Sequence, residues 1–412
     1  MTDPTGRSFL SYRRSRSDEC ARLIAAQRER GIPTWRDVDD LNTEPTEREL
    51  RRVLRDDGIA NVVLWMSPET ADSLMIRNVE APIAFERHGR ADGFFVVPVA
   101  AGGLGYQEAA QAIRNSVSLT NIANWNTIKL DADPATDADI SRVANQVLKQ
   151  RLQAIDARLP QGEPLRISFN TRRAMGPQLG SALAIDWSHR FGGDYNREAS
   201  AADWQRKLLP ALTDVRSTVE QVLPHRKLLI CGFASLPAAT ALGFEFMATS
   251  GIETAWEQRM PDGNCQIWNL SCGREDAGFS INILEGELGS DDLAVLVSVN
   301  NDVTQAVASS VGEVGPFRAY VHLNHHNSRQ GATLDTPGQA VDLARKTIEA
   351  ARRARSEYST GGRVHLFMAV PVGLAMLVGQ LLNTLGPVQT YEHVQSDAIG
   401  IYRSAALLNC PS

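Results

Sequence analysis

The chain has 412 residues, of which 43% are hydrophobic and 22% are charged, and its formal net charge at pH 7 is −6. The length predicts two or three domains of ordinary globular composition, and the negative charge argues against a protein that coats nucleic acid or binds an anionic membrane. Five cysteines without a CxxC pair favour a reducing compartment and argue against a zinc site, and we expect no metal ion. Because we find no apolar signal segment and no uncharged apolar run of about 18 residues, we expect a cytoplasmic protein.

The first third of the chain alternates strand and helix patterns. Short, apolar, β-branched runs predict buried parallel strands at residues 8–11, 33–35, 60–66 and 93–99, with a weaker one at 126–130. Amphipathic patterns predict helices at residues 46–56, 81–88 and 137–159. This alternation predicts a doubly wound α/β domain over residues 1–159. The following stretch PQGEP, residues 160–164, has the composition of a linker.

The second half of the chain, residues 165–412, contains a weak internal repeat. Its two copies are KLLICGFASLPAATALG at residues 227–243 and VHLFMAVPVGLAMLVG at residues 364–379. Each copy has a strand-like apolar run, a small residue, a proline at the expected first position of a helix, and a helical segment with alanine and glycine. Two units of one design predict two Rossmann-type halves that pack with pseudo-symmetry.

A motif near the N-terminus adds a family resemblance. Residues 9–41 read FLSYRRSRSDECARLIAAQRERGIPTWRDVDDL, which gives a strand ending in Ser-Tyr, a helix, a second strand and an acidic loop. This order resembles a TIR domain, which implies a flavodoxin-like fold with a parallel sheet. Such domains either assemble signalling complexes or break the glycosidic bond of NAD⁺. TIR domains that cleave NAD⁺ carry a glutamate six or seven residues after a serine, and Ser73 and Glu80 match that spacing.

Cleavage of NAD⁺ expels a pyridine that is already cationic, so it needs no strong general acid. A carboxylate beside the ribose helps by stabilising an oxocarbenium-like transition state, and Glu80 is the predicted catalytic residue. Because Pro82 is tolerated in the first turn of a helix, we expect a helix to start near Ala81 and Glu80 to lie at its entry. The alternative role for Glu80 is to complement the helix dipole. We expect Glu86 to form a solvated pair with Arg87.

The TIR resemblance also implies contacts with NAD⁺ from the ends of the first two strands and from the loop before Glu80. The expected contact residues are Phe9, Ser11, Arg13, Trp35, Leu41 and Ser73. Arg13 offers a guanidinium to the pyrophosphate. The alternatives are that Trp35 is a core residue and that Arg13, Arg14 and Arg16 form a solvated helix start. Ile76 departs from the family, which often has an aromatic residue four positions before its glutamate.

The second half resembles a SAVED domain, the cyclic-oligonucleotide sensor made of two fused CARF-like halves. The resemblance is carried by VHLFMAVPVGLAMLVGQLLNTLGPVQTYEHV at residues 364–394, with support from VLVSVNNDVTQAV at 295–307 and AYVHLN at 319–324. It implies that the phosphates of the ligand meet helix N-termini and small residues in the loops after the strands. The expected ligand contacts are Phe233, Ser235, Asn300, Asn301, Asn324, His325, Pro371, Val372, Gly373 and Glu392.

Some of these contacts have a plainer alternative. Helix capping alone explains the run from Asn300 to Asp302, and an exposed loop explains the pair His325 and His326. For Glu392 we expect a contact with an adenine amino group.

A TIR domain joined to a SAVED domain resembles the effectors of bacterial cyclic-oligonucleotide anti-phage defence. The pairing implies a cyclic tri- or tetranucleotide as activator, with cyclic tri-adenylate the first choice, and NAD⁺ as substrate without a further cofactor. It also implies ligand-induced head-to-tail assembly into a homo-oligomer or filament. We expect no partner among long nucleic acids or membranes. Two alternatives stay open: a ligand-gated TIR scaffold without catalysis, and a ring nuclease whose CARF-like half cleaves its own ligand.

Overall fold

A computed structural model describes residues 1–35, 46–113, 125–172, 180–192, 198–276, 278–325, 333–395 and 400–409. The chain divides into two compact units. The first comprises Met1–Glu163, Gly176–Ile185 and Ser217–Pro224, and the second comprises Pro164–Met175, Asp186–Arg216 and His225–Ser412. The single boundary at residues 160–164 did not anticipate the two later stretches that group with the first unit. No helix among the described residues is long and apolar enough to cross a membrane.

The first unit is built on a sheet of five parallel strands in the order β2-β1-β3-β4-β5. The strands are β1 (Arg7–Ser11), β2 (Thr34–Trp35), β3 (Ile59–Met66), β4 (Phe95–Ala100) and β5 (Ile128–Lys129). The helices are α1 (Ser17–Glu29), α2 (Thr46–Arg55), α3 (Ala81–His88), α4 (Tyr106–Ala112) and α5 (Asp137–Asp156). This arrangement confirms the predicted parallel α/β fold. The direction of winding reverses between β1 and β3, and doubly wound sheets bind ligands beyond the carboxyl ends of such strands.

Arg87 on α3 is a core residue, contrary to the predicted solvated pair with Glu86. Its side chain is 1% exposed and donates hydrogen bonds to the backbone carbonyls of Leu54 at 2.7 Å and Ile59 at 3.1 Å. Glu86 instead accepts from the exposed Arg90 one helical turn later. The sequence spacing suggested a pair on the helix surface, but the guanidinium satisfies carbonyl groups that the unit buries.

The second unit contains strands of two further sheets. In one of them four strands follow the order β10-β9-β8-β6, and the other has six strands in the order β11-β13-β12-β14-β15-β16. The strands are β6 (Leu165–Asn170), β7 (Leu183–Asp186, which spans the boundary between the units), β8 (Leu228–Phe233), β9 (Thr254–Arg259), β10 (Cys265–Trp268), β11 (Phe279–Glu285), β12 (Leu293–Ser298), β13 (Ala319–His325), β14 (Val364–Ala369), β15 (Val388–Val394) and β16 (Ile401–Leu408). The longer helices are α6 (Leu209–Val222, which also spans the boundary between the units), α7 (Leu236–Glu245), α8 (Thr304–Val314), α9 (Pro337–Glu357) and α10 (Val372–Gly379).

The two sheets of the second unit repeat one strand pairing. β6 lies parallel to β8, with Leu165 opposite Leu228, and β12 lies parallel to β14, with Leu293 opposite Val364. Leu228 and Val364 are equivalent positions of the sequence repeat. The same register therefore occurs in both halves, although β6 and β12 lie outside the repeat that is visible in the sequence.

Helices α7 and α10, which follow the two repeated strands, cross at a reciprocal pair of glycines. A Cβ added to Gly243 would lie 2.1 Å from the backbone oxygen of Met376, and one added to Gly379 would lie 2.2 Å from that of Thr240. The repeat places Gly243 opposite Gly379 and Thr240 opposite Met376. Because the two contacts exchange equivalent residues, the helices are related by a local pseudo-two-fold axis, as the repeat predicted.

The repeated prolines take different helix positions from the predicted one. Helix α7 begins at Leu236 after the N-cap Ser235, so Pro237 is its second residue. Pro371 is itself the N-cap of α10. In the first half the Ser235 hydroxyl accepts from the backbone nitrogen of Ala238, which fixes the start of that helix one residue before the proline.

Candidate functional site

A crevice of about 440 Å³ lies within the second unit, at the carboxyl ends of β6, β8, β12 and β14. In the six-stranded sheet, β12 connects to β13 on one side and β14 connects to β15 on the other. The gap between β12 and β14 is therefore a topological switch point, where open parallel sheets form ligand crevices. The volume is in the usual range of small-molecule sites.

Equivalent residues of the two halves line this crevice. The first half contributes Gly232, Phe233, Ala234 and Leu236. The second half contributes Met368, Ala369, Val370 and Val372, which occupy the same four positions of the repeat. A ligand in the crevice therefore meets two copies of the same strand-to-helix loop.

The loops after β6 and β12 are equivalent as well. The backbone nitrogen of Thr171 donates to the carbonyl of Phe233, and that of Val299 donates to the carbonyl of Ala369, both at 3.0 Å. The next residue in each half lines the crevice: Arg172 in the first and Asn300 in the second. The sequence analysis missed Arg172. Its position directly after the strand that precedes the repeat is the signal that could have found it.

Arg172 pairs with a buried carboxylate on β15. Its Nη2 donates to Oε1 of Glu392 at 2.9 Å, and the arginine side chain is 56% exposed whereas the glutamate side chain is 6% exposed. Burial raises the pKa of Glu392 to about 7, and the nearby Arg172 and Ser235 oppose that shift. Glu392 does not itself line the crevice and lies behind Arg172, and its contact with an adenine stays a prediction.

The run from Asn300 to Asp302 after β12 lines the crevice, and Asp302 also accepts hydrogen bonds from the start of α8. Oδ1 of Asp302 accepts from the backbone nitrogen of Thr304 at 2.8 Å and from its hydroxyl at 2.6 Å. Burial would raise the pKa of Asp302, but these bonds outweigh burial and the pKa is lowered. The capping alternative thus explains Asp302. Asn300 and Asn301 line the crevice, and Asn301 is exposed to solvent.

Four predicted ligand contacts lie elsewhere. Asn324 and His325 end β13 and do not line the crevice, and His326 is outside the described residues. Pro371 and Gly373 do not line it either, although Val372 between them does. Asn324 and His325 lie away from the crevice because β13 is not at the switch point, and the contact of all four residues with a ligand stays a prediction.

Gly373, a small residue at a helix start, was predicted to let a phosphate approach the backbone, but protein side chains occupy that space. Its backbone nitrogen donates to the side-chain oxygen of Gln258 at 2.9 Å. A Cβ at this position would lie 2.8 Å from a ring carbon of Trp268. The missing Cβ leaves room for the side chains of Trp268 and Gln258. Because the N–H of Gly373 already donates to Gln258, it is not available to a phosphate. Ser235 likewise faces helix α7 and not the crevice.

The first unit holds the predicted NAD⁺ residues, and two of them are core residues. The rings of Phe9 and Trp35 stack with centroids 4.8 Å apart and are 2% and 4% exposed. This is the core alternative for Trp35. Ser11, at the carboxyl end of β1, is 1% exposed, and its hydroxyl makes no hydrogen bond within the described part of the chain. Leu41 lies outside the described residues.

The three arginines after β1 differ from one another. Arg13 is partly exposed, and Arg14 is exposed. Arg16 is not a solvated helix-start residue, since its side chain is 15% exposed and forms ion pairs with Asp133 and with Glu69. The hydrogen bond to Asp133 is the largest cause of the raised pKa of Arg16. Of the three, Arg13 remains the predicted partner of the pyrophosphate.

Glu80 lies directly before α3, as predicted, but it is also the last residue of a wide helical turn. A wide turn from Ile76 to Glu80 runs directly into α3, and the backbone nitrogen of Ala81 donates to the carbonyl of Ile76 five residues earlier. Pro82 has no N–H, and the wide turn accommodates that gap in the helical hydrogen bonds. The predicted helix start near Ala81 is where α3 begins, with Pro82 in its first turn, but the wide turn precedes it without a break. Glu80 is 8% exposed, and the helix-dipole explanation loses its basis.

Ser73 is the residue at which this helix begins. Its hydroxyl accepts from the backbone nitrogen of Ile76 at 3.3 Å, and its carbonyl accepts from that of Arg77 at 3.0 Å. The hydroxyl is a cap, and its predicted contact with NAD⁺ stays a prediction. No group of three or more His, Cys, Asp or Glu side chains in the described ranges could hold a metal ion.

Ser73→Ala is expected to lower the free energy of unfolding by about 1 kcal/mol, because the variant loses an N-cap. Urea denaturation of the purified chain measures the change. The matched control is Ser15→Ala, since Ser15 is an exposed serine of the same unit. An unchanged midpoint for Ser73→Ala would contradict the capping role.

Comparisons with known proteins agree with this architecture in the second unit. Residues 211–408 match the family model SAVED, described as "SMODS-associated and fused to various effectors sensor domain". A curated relative is CD-NTase-associated protein 4 of Acinetobacter sp. (strain ATCC 27244 / 9458), 22% identical over 239 residues, or 58% of this chain and 48% of that protein. The match thus spans about half the length of that relative.

Two solved structures are similar over most of the chain. Both are of the Acinetobacter baumannii Cap4 SAVED/CARF-domain containing receptor, one with the cyclic trinucleotide 3′3′3′-cAAA and one with 2′3′3′-cAAA. Each is 17% identical to this chain, covers 90% of it and 86% of the receptor, and gives a TM-score of 0.49. On the family match, this chain contains a SAVED domain at residues 211–408.

Proposed function

We propose that the chain is a sensor–effector in which the SAVED domain binds a cyclic oligonucleotide and an N-terminal TIR domain then hydrolyses NAD⁺. The observation that carries the proposal is the doubled crevice, lined by equivalent residues from two copies of one strand-to-helix loop. A cyclic oligonucleotide repeats its phosphate, sugar and base around a ring. Two equivalent loops can therefore make the same kind of contact with two of its nucleotides.

The chemistry of the lining supports a nucleotide ligand. Arg172 supplies a half-exposed cation for a phosphate. Phe233 is 45% exposed at the crevice and offers a ring on which a base can stack. Asn300 and Asn301 supply amide groups for base edges. The crevice thus combines one phosphate partner, one stacking surface and two groups that can form hydrogen bonds with bases.

Two features of the first unit support the proposed NAD⁺ hydrolysis. Its parallel sheet has a switch point between β1 and β3. Ser11 ends β1, and its buried hydroxyl forms no hydrogen bond with the described part of the chain, so it can bond a ligand. The segment after β3 leads to the buried carboxyl group of Glu80 in a wide helical turn, a feature that is frequent at functional sites. A carboxylate held away from water stabilises a cationic sugar more strongly than one in solvent.

Binding of a panel of cyclic nucleotides to the full chain tests the sensor half. Isothermal titration with 3′3′3′-cAAA, 2′3′3′-cAAA, cyclic di- and tetra-adenylate, and linear tri-adenylate as control should show one cyclic member binding more tightly than the linear one. Equal binding of the linear and cyclic forms, or no binding at all, would contradict the proposal. Sedimentation of the same samples tests the proposed assembly, since head-to-tail contacts predict growth in size with ligand.

The alternative functions give different results in the same samples. A ring nuclease would return a linearised ligand after long incubation, and His325, which motivated that alternative, does not line the crevice. A TIR scaffold would bind the ligand without releasing nicotinamide.

A further inference from the structure

We propose that Glu392 is a proton-coupled competitor for Arg172: an anionic ligand in the crevice draws Arg172 away from Glu392, and the buried carboxyl group takes up a proton as the ion pair breaks. This inference rests on the proposed nucleotide ligand and adds a positioning residue and a pH response to its site. Arg172 is the group that touches the ligand, and Glu392 acts through it.

The geometry allows the arginine to move but not the glutamate. Arg172 is 56% exposed and lines the crevice, so its guanidinium can turn toward a phosphate. Glu392 is 6% exposed on the central part of β15, paired in the sheet with Arg403 on β16. When Arg172 leaves, the carboxyl group stays in place and cannot reach solvent. A buried carboxylate without its counter-ion is unfavourable, and neutralisation by a proton removes that cost.

Among the residues that the structure describes, the other half of the crevice has no ion pair equivalent to that of Arg172 and Glu392. The residue equivalent to Arg172 is Asn300, which carries no charge, and the residue equivalent to Ser235, next to the carboxylate, is Pro371. The pseudo-two-fold crevice therefore has its cation on the first side, whereas the second side carries the carboxylate of Asp302. A ligand with several equivalent phosphates would place one of them at Arg172, and that phosphate competes directly with Glu392.

The charged and titratable groups around Glu392 leave Arg172 as its main counter-ion. Glu198 raises the pKa of Glu392 and is itself paired with Arg403 at 2.9 Å. The pKa of Tyr402 is raised by burial and by Glu392, so the phenol stays neutral. The pKa of His393 is lowered by burial and by Arg172, so this imidazole is neutral above pH 7.

The sign of the pH dependence follows from these groups. With Arg172 in place, the pKa of Glu392 is about 7. Loss of the arginine removes an interaction that lowers the pKa, so the pKa is higher in the complex. Binding then takes up a proton between pH 7 and that higher value, and affinity falls as pH rises, by up to about tenfold per pH unit. Below pH 7 the free protein is already protonated, and the affinity levels off.

Titration calorimetry with 3′3′3′-cAAA at pH 7.0 to 8.5, in two buffers of different ionisation enthalpy, tests the inference. For the wild-type chain we expect a falling affinity and uptake of up to one proton. Glu392→Gln keeps the volume but cannot ionise, so its affinity should not depend on pH and should exceed that of wild type at pH 8.5. Arg172→Gln should bind more weakly at every pH, with no proton uptake.

The matched control is Glu257→Gln, which breaks another arginine–glutamate ion pair of the same unit. In that pair Nη2 of Arg166 lies 2.7 Å from Oε2 of Glu257. It should keep the wild-type pH slope. Circular dichroism of each variant shows whether it is folded. An affinity that does not depend on pH in wild type would overturn this inference but not the proposed function. The same holds if Glu392→Gln keeps the pH dependence of wild type. Absence of binding to wild type at every pH would overturn both this inference and the proposed function.

Discussion

Glu80→Gln is expected to reduce kcat/KM for NAD⁺ hydrolysis by the ligand-activated chain about 100-fold or more. The amide keeps the size of the side chain but removes the negative charge that would stabilise the oxocarbenium-like transition state. Glu80 is buried, where the low dielectric strengthens such a charge interaction. Nicotinamide release at saturating cyclic nucleotide measures the effect, and the ligand affinity of the variant should be unchanged.

The matched control for this variant lies on the same helix. Glu86 is 55% exposed and pairs only at the surface with Arg90, so Glu86→Gln should keep nearly full activity. Comparable activity of Glu80→Gln and wild type would remove Glu80 from the mechanism. A wild-type chain that binds its ligand but releases no nicotinamide would favour the TIR scaffold.

Asn301→Glu is expected to weaken the binding of the cyclic nucleotide at least about tenfold, equivalent to about 1.4 kcal/mol. Asn301 lines the crevice and is exposed, so the new carboxylate needs no repacking of the core and adds negative charge where an anionic ligand would bind. Under the proposed activation by ligand, NAD⁺ hydrolysis at a fixed, limiting ligand concentration should fall in proportion. Calorimetric titration and the nicotinamide assay on the same preparation measure both effects.

Gln305→Glu separates repulsion in the crevice from a general change in charge. Gln305 is exposed near the start of α8, four residues after Asn301, and does not line the crevice. Its variant carries the same added charge and should bind the ligand as wild type does. If Asn301→Glu also binds normally, the ligand does not occupy this crevice.

The fold was largely predictable because its main elements have simple patterns. Buried parallel strands such as β3 and β14 are continuous apolar runs, and the repeat of glycine and proline around β8 and β14 indicated two related halves. The equivalence of β6 and β12 was not predictable in the same way. Their sequences, LRISFN and LAVLVS, share only a strand-like character, and the pairing became evident from their identical register with the repeated strands.

The functional residues were harder to predict than the fold, because type and spacing do not report burial. Trp35 ends β2, as a ligand contact would, and Phe9 lies in the middle of β1, but the two rings stack in the core. Gly373 resembles a phosphate-binding glycine, but its free space is filled by a tryptophan. Pro82 is typical of a first helical turn, whereas the wide turn at Ile76–Glu80 accommodates it inside a longer helix.

Arg172 shows the opposite error, a residue without a recognisable motif that the fold brings to the crevice. It follows β6 by two residues and meets Glu392, 220 positions later in the sequence, through the packing of the two halves. No local sequence pattern can predict a contact between residues so far apart in the sequence. The equivalence of Arg172 with Asn300 becomes evident only from the shared register of β6 and β12 with the repeated strands.

Release of nicotinamide from NAD⁺ by the full chain, with and without 3′3′3′-cAAA, tests the central claim most directly. The account predicts little release without ligand, strong release with it, and at limiting ligand little release from Asn301→Glu but normal release from Gln305→Glu. Release that is equally fast with and without every cyclic nucleotide of the panel would contradict the claim that the crevice in the SAVED domain controls the N-terminal unit.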